Sequence, residues 1–163
     1  MKVLTTLLSL LAGAVLLAAP AIAQDKGSAG ANTNMEILLQ KVKADKKLLV
    51  AANMDLSDVE GKSFWPLYDG YQKELGQLNQ RIGKAIVEYA DAYNKGPVPN
   101  DTAKKLMTEV LAVEQAEAKA KSSVADNVGK VLSATQTARY IQIETKIRAV
   151  VRFELAKQIP LVD

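Results

Sequence analysis

The sequence predicts an all-α protein, an antiparallel hairpin or bundle of about four helices of which two are long. Between Leu56 and Tyr93, large apolar residues recur at alternating spacings of four and three, as they do along one face of a helix. The same spacing returns between Leu106 and Val131, after a dense cluster of turn-forming residues. Stripes of this length exceed what their own helices can cover, so each helix is expected to bury its apolar face against another.

The first long helix has charged or amide side chains on the face opposite its stripe. The stripe consists of Phe64, Tyr68, Tyr71, Leu75, Leu78, Ile82, Ala85 and Tyr89. Pro66 lacks an N–H and its ring crowds the carbonyl of Lys62, so we expect a kink or a restarted helix near there. Trp65 beside Phe64 is either a ligand-stacking pair or part of the core, and aromatics at helical spacing favour the core.

Two helix starts share one motif, a Leu followed by a serine N-cap and an acidic or amide residue three positions after the cap. The residues are Leu56, Ser57 and Glu60 in the first copy and Leu132, Ser133 and Gln136 in the second. A shift of 76 positions superposes the two copies and also pairs Phe64 with Tyr140. Because apolar residues of the first segment again fall on apolar residues of the second after this shift, we interpret the two segments as an internal duplication.

Three further helices are predicted. One with a poorer apolar face precedes the first motif, over residues 34–53, and its lysines form a solvated surface or, alternatively, a partner-facing one. Those lysines are Lys41, Lys43, Lys46 and Lys47.

The turn at residues 94–100 leads to a helix capped by Asn100 or Asp101. We expect the charged side chains of this helix to provide solubility and weak intrahelical ion pairs. Its acidic residues include Glu109, Glu114 and Glu117. The last helix runs from Ser133 to about Lys157.

The chain begins with the pattern of a secretory signal peptide. Lys2 precedes an apolar run from Leu7 to Leu17, and Ala21-Ile22-Ala23 matches a peptidase site. The alternative, an uncleaved membrane anchor, is disfavoured because the run is short for a span of about 20 residues. We therefore predict a signal peptide at residues 1–23, a flexible tail at 24–33 and a single helical domain at 34–163, with no stable membrane insertion after cleavage.

Composition narrows the possible chemistry. The chain has no His and no Cys, so the usual metal sites and nucleophile–base arrangements lack their side chains. The helical di-iron motif needs His as well, and no glycine-rich phosphate loop is present. We expect no catalytic residues, no metal and no cofactor, and hence no enzyme. The net charge of +3 is spread along the chain rather than gathered in a block, so we expect no nucleic-acid partner.

The two Leu-Ser-x-x-Glu/Gln boxes and the signal peptide resemble the LTxxQ-motif periplasmic proteins, the Spy/CpxP-like family. The resemblance spans about residues 54–155 and departs from the family in its serines, in Glu60 and in the additional first helix. It implies a bent, cradle-shaped homodimer in the periplasm. The family's activities are ATP-independent chaperoning of unfolded proteins under envelope stress and restraint of an envelope-stress sensor kinase. The metal-sensing branch of the family uses His ligands that this chain lacks.

Three function classes remain open: a chaperone for partly unfolded exported proteins, a regulator that binds one sensor-kinase domain, and a passive structural envelope protein. For the first we expect clients to contact basic residues beside the apolar face of the last helix. These residues are Arg139, Lys146, Arg148 and Arg152. A solvated helix flank is the alternative for them. Replacing Arg148 and Arg152 with Glu is expected to weaken client protection and make it less sensitive to salt, while leaving thermal stability nearly unchanged.

Overall fold

The structure, a computed structural model, describes residues 45–162, and over that range the prediction of an all-α fold is confirmed. The elements are α1 (45–54), α2 (Asp58–Tyr93), α3 (Asn100–Val128) and α4 (Ala134–Gln158). The predicted signal peptide, the tail and the first part of the predicted first helix lie outside the described residues. Within residues 45–162, no helix is both long and apolar enough to cross a membrane.

Helix α2 runs unbroken through Pro66, so of the two predicted outcomes the restarted helix is wrong and the kink stays a prediction. Pro66 and Lys62 are both exposed, which lets water satisfy the Lys62 carbonyl that loses its helical partner. The predicted stripe faces the interior, and only Ile82 and Tyr89 are half-buried rather than buried. Trp65 is half-buried and packs against the core, as expected for an aromatic at this spacing.

Helix α3 has a different start from the predicted one. Its N-cap is Pro99, and no side chain caps it, so the expected cap at Asn100 or Asp101 is wrong. Asn100 is already the first helical residue, which removes its side chain from the capping position. The Pro99 carbonyl accepts the first backbone hydrogen bond, from Ala103 at 2.9 Å. The apolar face is otherwise close to the predicted one, although Val110 and Val131 are exposed.

The directions of the helices follow from the side-chain pairs between them. Arg81 pairs with Glu109 and Glu88 pairs with Lys105, so residue numbers rise along α2 as they fall along α3 and the two helices run in opposite directions. The pairs between α2 and α4 keep the same order on both helices, which run in the same direction. They are Glu60–Gln136, Phe64–Tyr140, Gln72–Glu144 and Asn79–Arg148. Gly96 allows the turn between α2 and α3, at a φ of 135°.

The core is centred on aromatic residues of α2 and α4. The rings of Phe64 and Tyr140 lie edge to face with centroids 5.0 Å apart, and Tyr68 packs beside both. From α1, Val50 and Met54 close this cluster and are essentially inaccessible to solvent. The contact between Phe64 and Tyr140 joins the two residues that the 76-residue shift superposes, so the duplicated positions meet across the core.

Candidate functional site

The two capping boxes form, and they are joined to each other. In each, the serine Oγ accepts from the backbone N–H three residues on, and the Glu60 or Gln136 side chain accepts from the serine backbone N–H. The Gln136 amide then donates to the second carboxylate oxygen of Glu60 at 2.9 Å. The starts of α2 and α4 are therefore tied side by side. Leu132 is buried and Leu56 half-buried at the same end of the core.

Glu60 is the charged residue in the contact between the two capping boxes. The hydrogen bond from the Ser57 side chain, then that from Gln136, holds the pKa of the Glu60 carboxyl below its usual range. Its negative charge also faces the positive N-terminal end of α2. The motif residues act as helix-start caps and as a clamp between two helices, and they present no reactive group.

Removing the second box should destabilise the fold. Ser133→Ala combined with Gln136→Ala deletes both capping bonds of α4 and the bridge to Glu60. We expect the free energy of unfolding to fall by about 1–2 kcal/mol, the scale of a lost cap. Urea denaturation monitored by circular dichroism measures it. The matched control is Thr135→Ala, exposed in the same turn. Equal midpoints for the two variants would mean that the box contributes nothing.

A buried ion pair crosses the middle of the molecule. Glu117 of α3 is 3% exposed, and the Arg148 guanidinium of α4 donates to both of its carboxylate oxygens and to Asn79 of α2. Burial alone would raise the pKa of Glu117, but the hydrogen bonds and positive charge of Arg148 outweigh it and the pKa is lowered. Arg152 adds a longer contact of 3.4 Å. The expected surface role of Glu117 is therefore wrong, because its carboxylate is buried and joins α3 to α4 through Arg148.

A second polar cluster connects α1 to the same two helices. Lys46 donates to Glu144, which is 2% exposed, and to Gln72, whose amide nitrogen also donates to Glu144. Lys47 pairs with Asp69 and lies over the rings of Trp65 and Tyr68. The prediction of a solvated surface is wrong for Lys46, whose ammonium binds Gln72 of α2 and Glu144 of α4, whereas Lys47 and Asp69 form an exposed pair. Lys41 and Lys43 lie outside the described residues.

Acid should weaken the fold through carboxylates whose pKa is lowered on folding. Glu60, Glu109 and Glu117 are such groups. The usual glutamate pKa is about 4.5, so below this pH the carboxyls of the unfolded chain take up protons while those of the folded chain stay charged. The stability that these three glutamates contribute is therefore lost as pH drops toward their pKa values in the folded protein. We expect Tm to fall between pH 5 and pH 3. Glu60→Gln, which copies the second box, should show a shallower fall; a Tm constant over this window would contradict the account.

The four basic residues predicted as client contacts divide between two faces of α4. Arg148 and Arg152 lie on the side that meets Glu117, and Arg148 is only 18% exposed. Arg139 and Lys146 lie on the exposed outer side. The structure therefore changes the expectation for replacing Arg148 and Arg152 with Glu: thermal stability should fall, since Arg148→Glu would place a second carboxylate beside the buried Glu117.

The outer side of α4 forms a seam of basic and apolar side chains, which we name the outer seam. It consists of Arg139, Lys146, Val150, Phe153 and Lys157, all exposed. Val150 is 55% exposed and Phe153 63%, and the Lys157 ammonium lies 5.5 Å from the centre of the Phe153 ring. The only acidic residues of α4 are Glu144, which is buried, and Glu154, which contacts Lys157. The seam is thus cationic with apolar groups at its centre.

The sequence interpretation missed this seam. It placed Arg139 and Lys146 beside the apolar face of the last helix but did not identify an exposed apolar line there. A signal was present, because Ile143, Val150 and Phe153 continue the helical spacing on a line displaced from that of Tyr140, Ile147 and Val151. Apolar residues on two sides of one helix indicate either two buried faces or one buried and one exposed face. Only the position of α3 distinguishes these possibilities.

No group of three or more acidic residues that could hold a metal ion occurs among residues 45–162. Comparisons of this chain with family models, with curated proteins and with solved structures found no match. The resemblance to the LTxxQ-motif proteins stays a prediction based on the two capping boxes and the signal-peptide pattern.

Proposed function

We propose that this protein holds partly unfolded exported proteins in the periplasm without ATP, under envelope stress, and that the outer seam of α4 is its client contact. The observation that carries the proposal is the exposure of Val150 and Phe153 between cationic side chains. Large apolar groups on a helical surface have no stabilising role when they face water, and clusters of them mark interaction sites. Unfolding chains expose the apolar groups that such a surface can cover.

The surface suits variable partners better than one fixed partner. Its apolar groups are few and flanked by long, flexible Arg and Lys side chains, which can adjust to different sequences. Cationic groups also attract acidic segments before apolar contact forms. Two further exposed apolar residues, Leu48 and Leu49 on α1, add to the area that clients can contact.

We also propose that the protein is a homodimer built from antiparallel helical hairpins, with the bent, cradle-like shape that the family resemblance implies. The exposed apolar residues of α3 supply surface that a second copy could cover. The signal-peptide pattern supports the periplasmic location.

The second candidate is a regulator that binds the periplasmic domain of an envelope-stress sensor kinase. No residue of the outer seam carries a carboxylate, and Glu154 beside it is paired with Lys157, so the cationic seam also suits a single acidic partner. A dedicated partner would depend on a small cluster of contacts and bind tightly. The passive structural class has no specific observation in its favour.

An aggregation assay separates the first two functions. Several unrelated proteins are diluted from denaturant with equimolar mature protein and no nucleotide, and light scattering is followed. The proposal expects delayed aggregation of most clients, and weaker protection by Lys146→Glu combined with Phe153→Ser than by the surface control Lys73→Glu on α2. If no client is protected at any ratio while one sensor domain binds tightly, the regulator is the correct function.

A further inference from the structure

The exposed side of α4 differs in charge from the exposed sides of α2 and α3. Those two helices expose acidic and basic side chains together, such as Asp69 with Lys73 on α2 and Lys104 with Glu114 on α3. The exposed charged residues of α4 are all basic: Arg139, Lys146, Arg152 and Lys157. Its two glutamates do not offset them, because Glu144 is buried and Glu154 contacts Lys157. Among these three helices, α4 alone presents water with positive charge only.

The cations of the outer seam are spread along the helix rather than gathered around one point. From Arg139 to Lys157 the seam extends about 27 Å at 1.5 Å per residue. Arg148 shows the opposite arrangement in the interior, where one guanidinium contacts both oxygens of a single carboxylate. A row of separate cations on one straight helix fits a surface with many equivalent anionic groups better than it fits one carboxylate.

The apolar groups of the seam lie among these cations. Val150 and Phe153 are between Lys146 and Lys157, and the segment after α4 adds Leu161, which is 87% exposed, at the same end of the helix. Helices that lie in the interface of a bilayer combine a few apolar side chains with Lys and Arg, whose long stems reach the phosphate groups. So small an apolar group favours shallow and reversible contact that depends on charge.

We infer that the outer seam also binds the surface of an anionic phospholipid bilayer, with α4 lying along that surface. The lipid phosphates pair with the seam cations, and Val150 and Phe153 enter the region between the head groups. This is contact with a membrane surface and not insertion, since no helix within residues 45–162 could cross a bilayer. The inference goes beyond the proposed function and does not depend on it, because lipid binding is measured without a client.

Sedimentation of the mature protein with phospholipid vesicles tests this. We expect binding to be at least about tenfold stronger when the vesicles contain phosphatidylglycerol than when they are phosphatidylcholine alone, and to weaken with added salt. Lys146→Gln combined with Lys157→Gln should weaken it about 20-fold, since each basic residue near an anionic surface contributes about fivefold. The matched control is Lys62→Gln combined with Lys73→Gln, which removes the same charge from the exposed side of α2 and should have little effect.

A second measurement asks whether the apolar part of the seam meets the lipid. Phe153→Ser should weaken vesicle binding several-fold without changing its dependence on salt. A polarity-sensitive dye at Ala149→Cys should report a less polar environment when anionic vesicles are added, whereas the same dye at Ser122→Cys on α3 should not. Both positions are exposed in the free protein.

The outcomes separate this inference from the chaperone function. Equal binding to both kinds of vesicle, no binding to either, or equal weakening by the α4 and α2 variant pairs overturns the inference. Binding that Phe153→Ser leaves unchanged and that double-stranded DNA matches also overturns it, because charge alone then explains the contact. Vesicle binding without protection of any client supports the inference and overturns the chaperone function, and client protection without vesicle binding does the reverse.

Discussion

Arg148→Met is expected to lower the free energy of unfolding by about 3–5 kcal/mol, because it leaves the Glu117 carboxylate buried without its guanidinium. Asn79 loses its hydrogen bond from the same group. Glu117 keeps only the long contact with Arg152, whose side chain is half exposed. Taking one partner from a buried pair costs much more than the pair contributes against an apolar replacement. Chemical denaturation at pH 7 gives the difference.

Two companion variants make this test specific. Arg152→Met removes a mostly solvated charge and should cost less than about 1 kcal/mol. Glu117→Leu added to Arg148→Met removes the orphaned charge and should recover most of the loss, since an apolar pair of similar volume often replaces a buried ion pair without cost. Equal losses for Arg148→Met and Arg152→Met would show that the two arginines are equivalent surface groups.

Tyr140→Ala should have a comparable effect through packing. The side chain is fully buried between Phe64 and Tyr68, and truncating a buried aromatic typically costs about 3–5 kcal/mol.

Tyr140→Phe should not lower the stability. The Tyr140 hydroxyl is buried and makes no well-formed hydrogen bond, and its polar neighbour Gln72 bonds to Lys46 and Glu144 instead. Deleting an unsatisfied hydroxyl should therefore leave stability unchanged or raise it.

The measurement for Tyr140 is thermal or urea unfolding of the two variants side by side. Burial raises the pKa of Tyr140, and the charge of Glu144 adds to the shift, so the phenol stays neutral and the comparison is independent of pH near neutrality. A clear loss of stability in Tyr140→Phe would mean that the hydroxyl has a partner, such as a buried water. A small loss in Tyr140→Ala would contradict the assignment of this residue to the core.

The helices themselves could be predicted because their signals are local. The spacing of apolar residues located α2, α3 and α4, and the two Ser boxes located two helix starts. The start of α3 was missed because Asn100 and Asp101 both suit a cap, and only the backbone decides that Pro99 occupies that position. The repeat predicted the equivalence of Phe64 and Tyr140, but their contact depends on α2 and α4 running side by side.

The candidate site was less predictable, because it depends on contacts between residues distant in sequence. Arg148 and Lys146 are both basic residues of one helix, yet one pairs with a glutamate 31 positions earlier and the other faces water. No local pattern separates them. Glu117 carried one warning sign, since it occupies an interior position of the apolar repeat of α3, between Val113 and Ala120. A charge in such a position indicates a buried partner.

Site-specific crosslinking from α4 tests most directly whether the outer seam is the client contact. The chain has no cysteine, so Ala149→Cys, one helical turn before Phe153, can carry a single photo-crosslinker and leaves every seam residue in place. Ser122→Cys on the exposed surface of α3 is the matched control. With an unfolding client present, we expect several-fold more crosslinked client from position 149 than from position 122. Equal yields from both positions, or crosslinks from position 122 alone, would contradict the account.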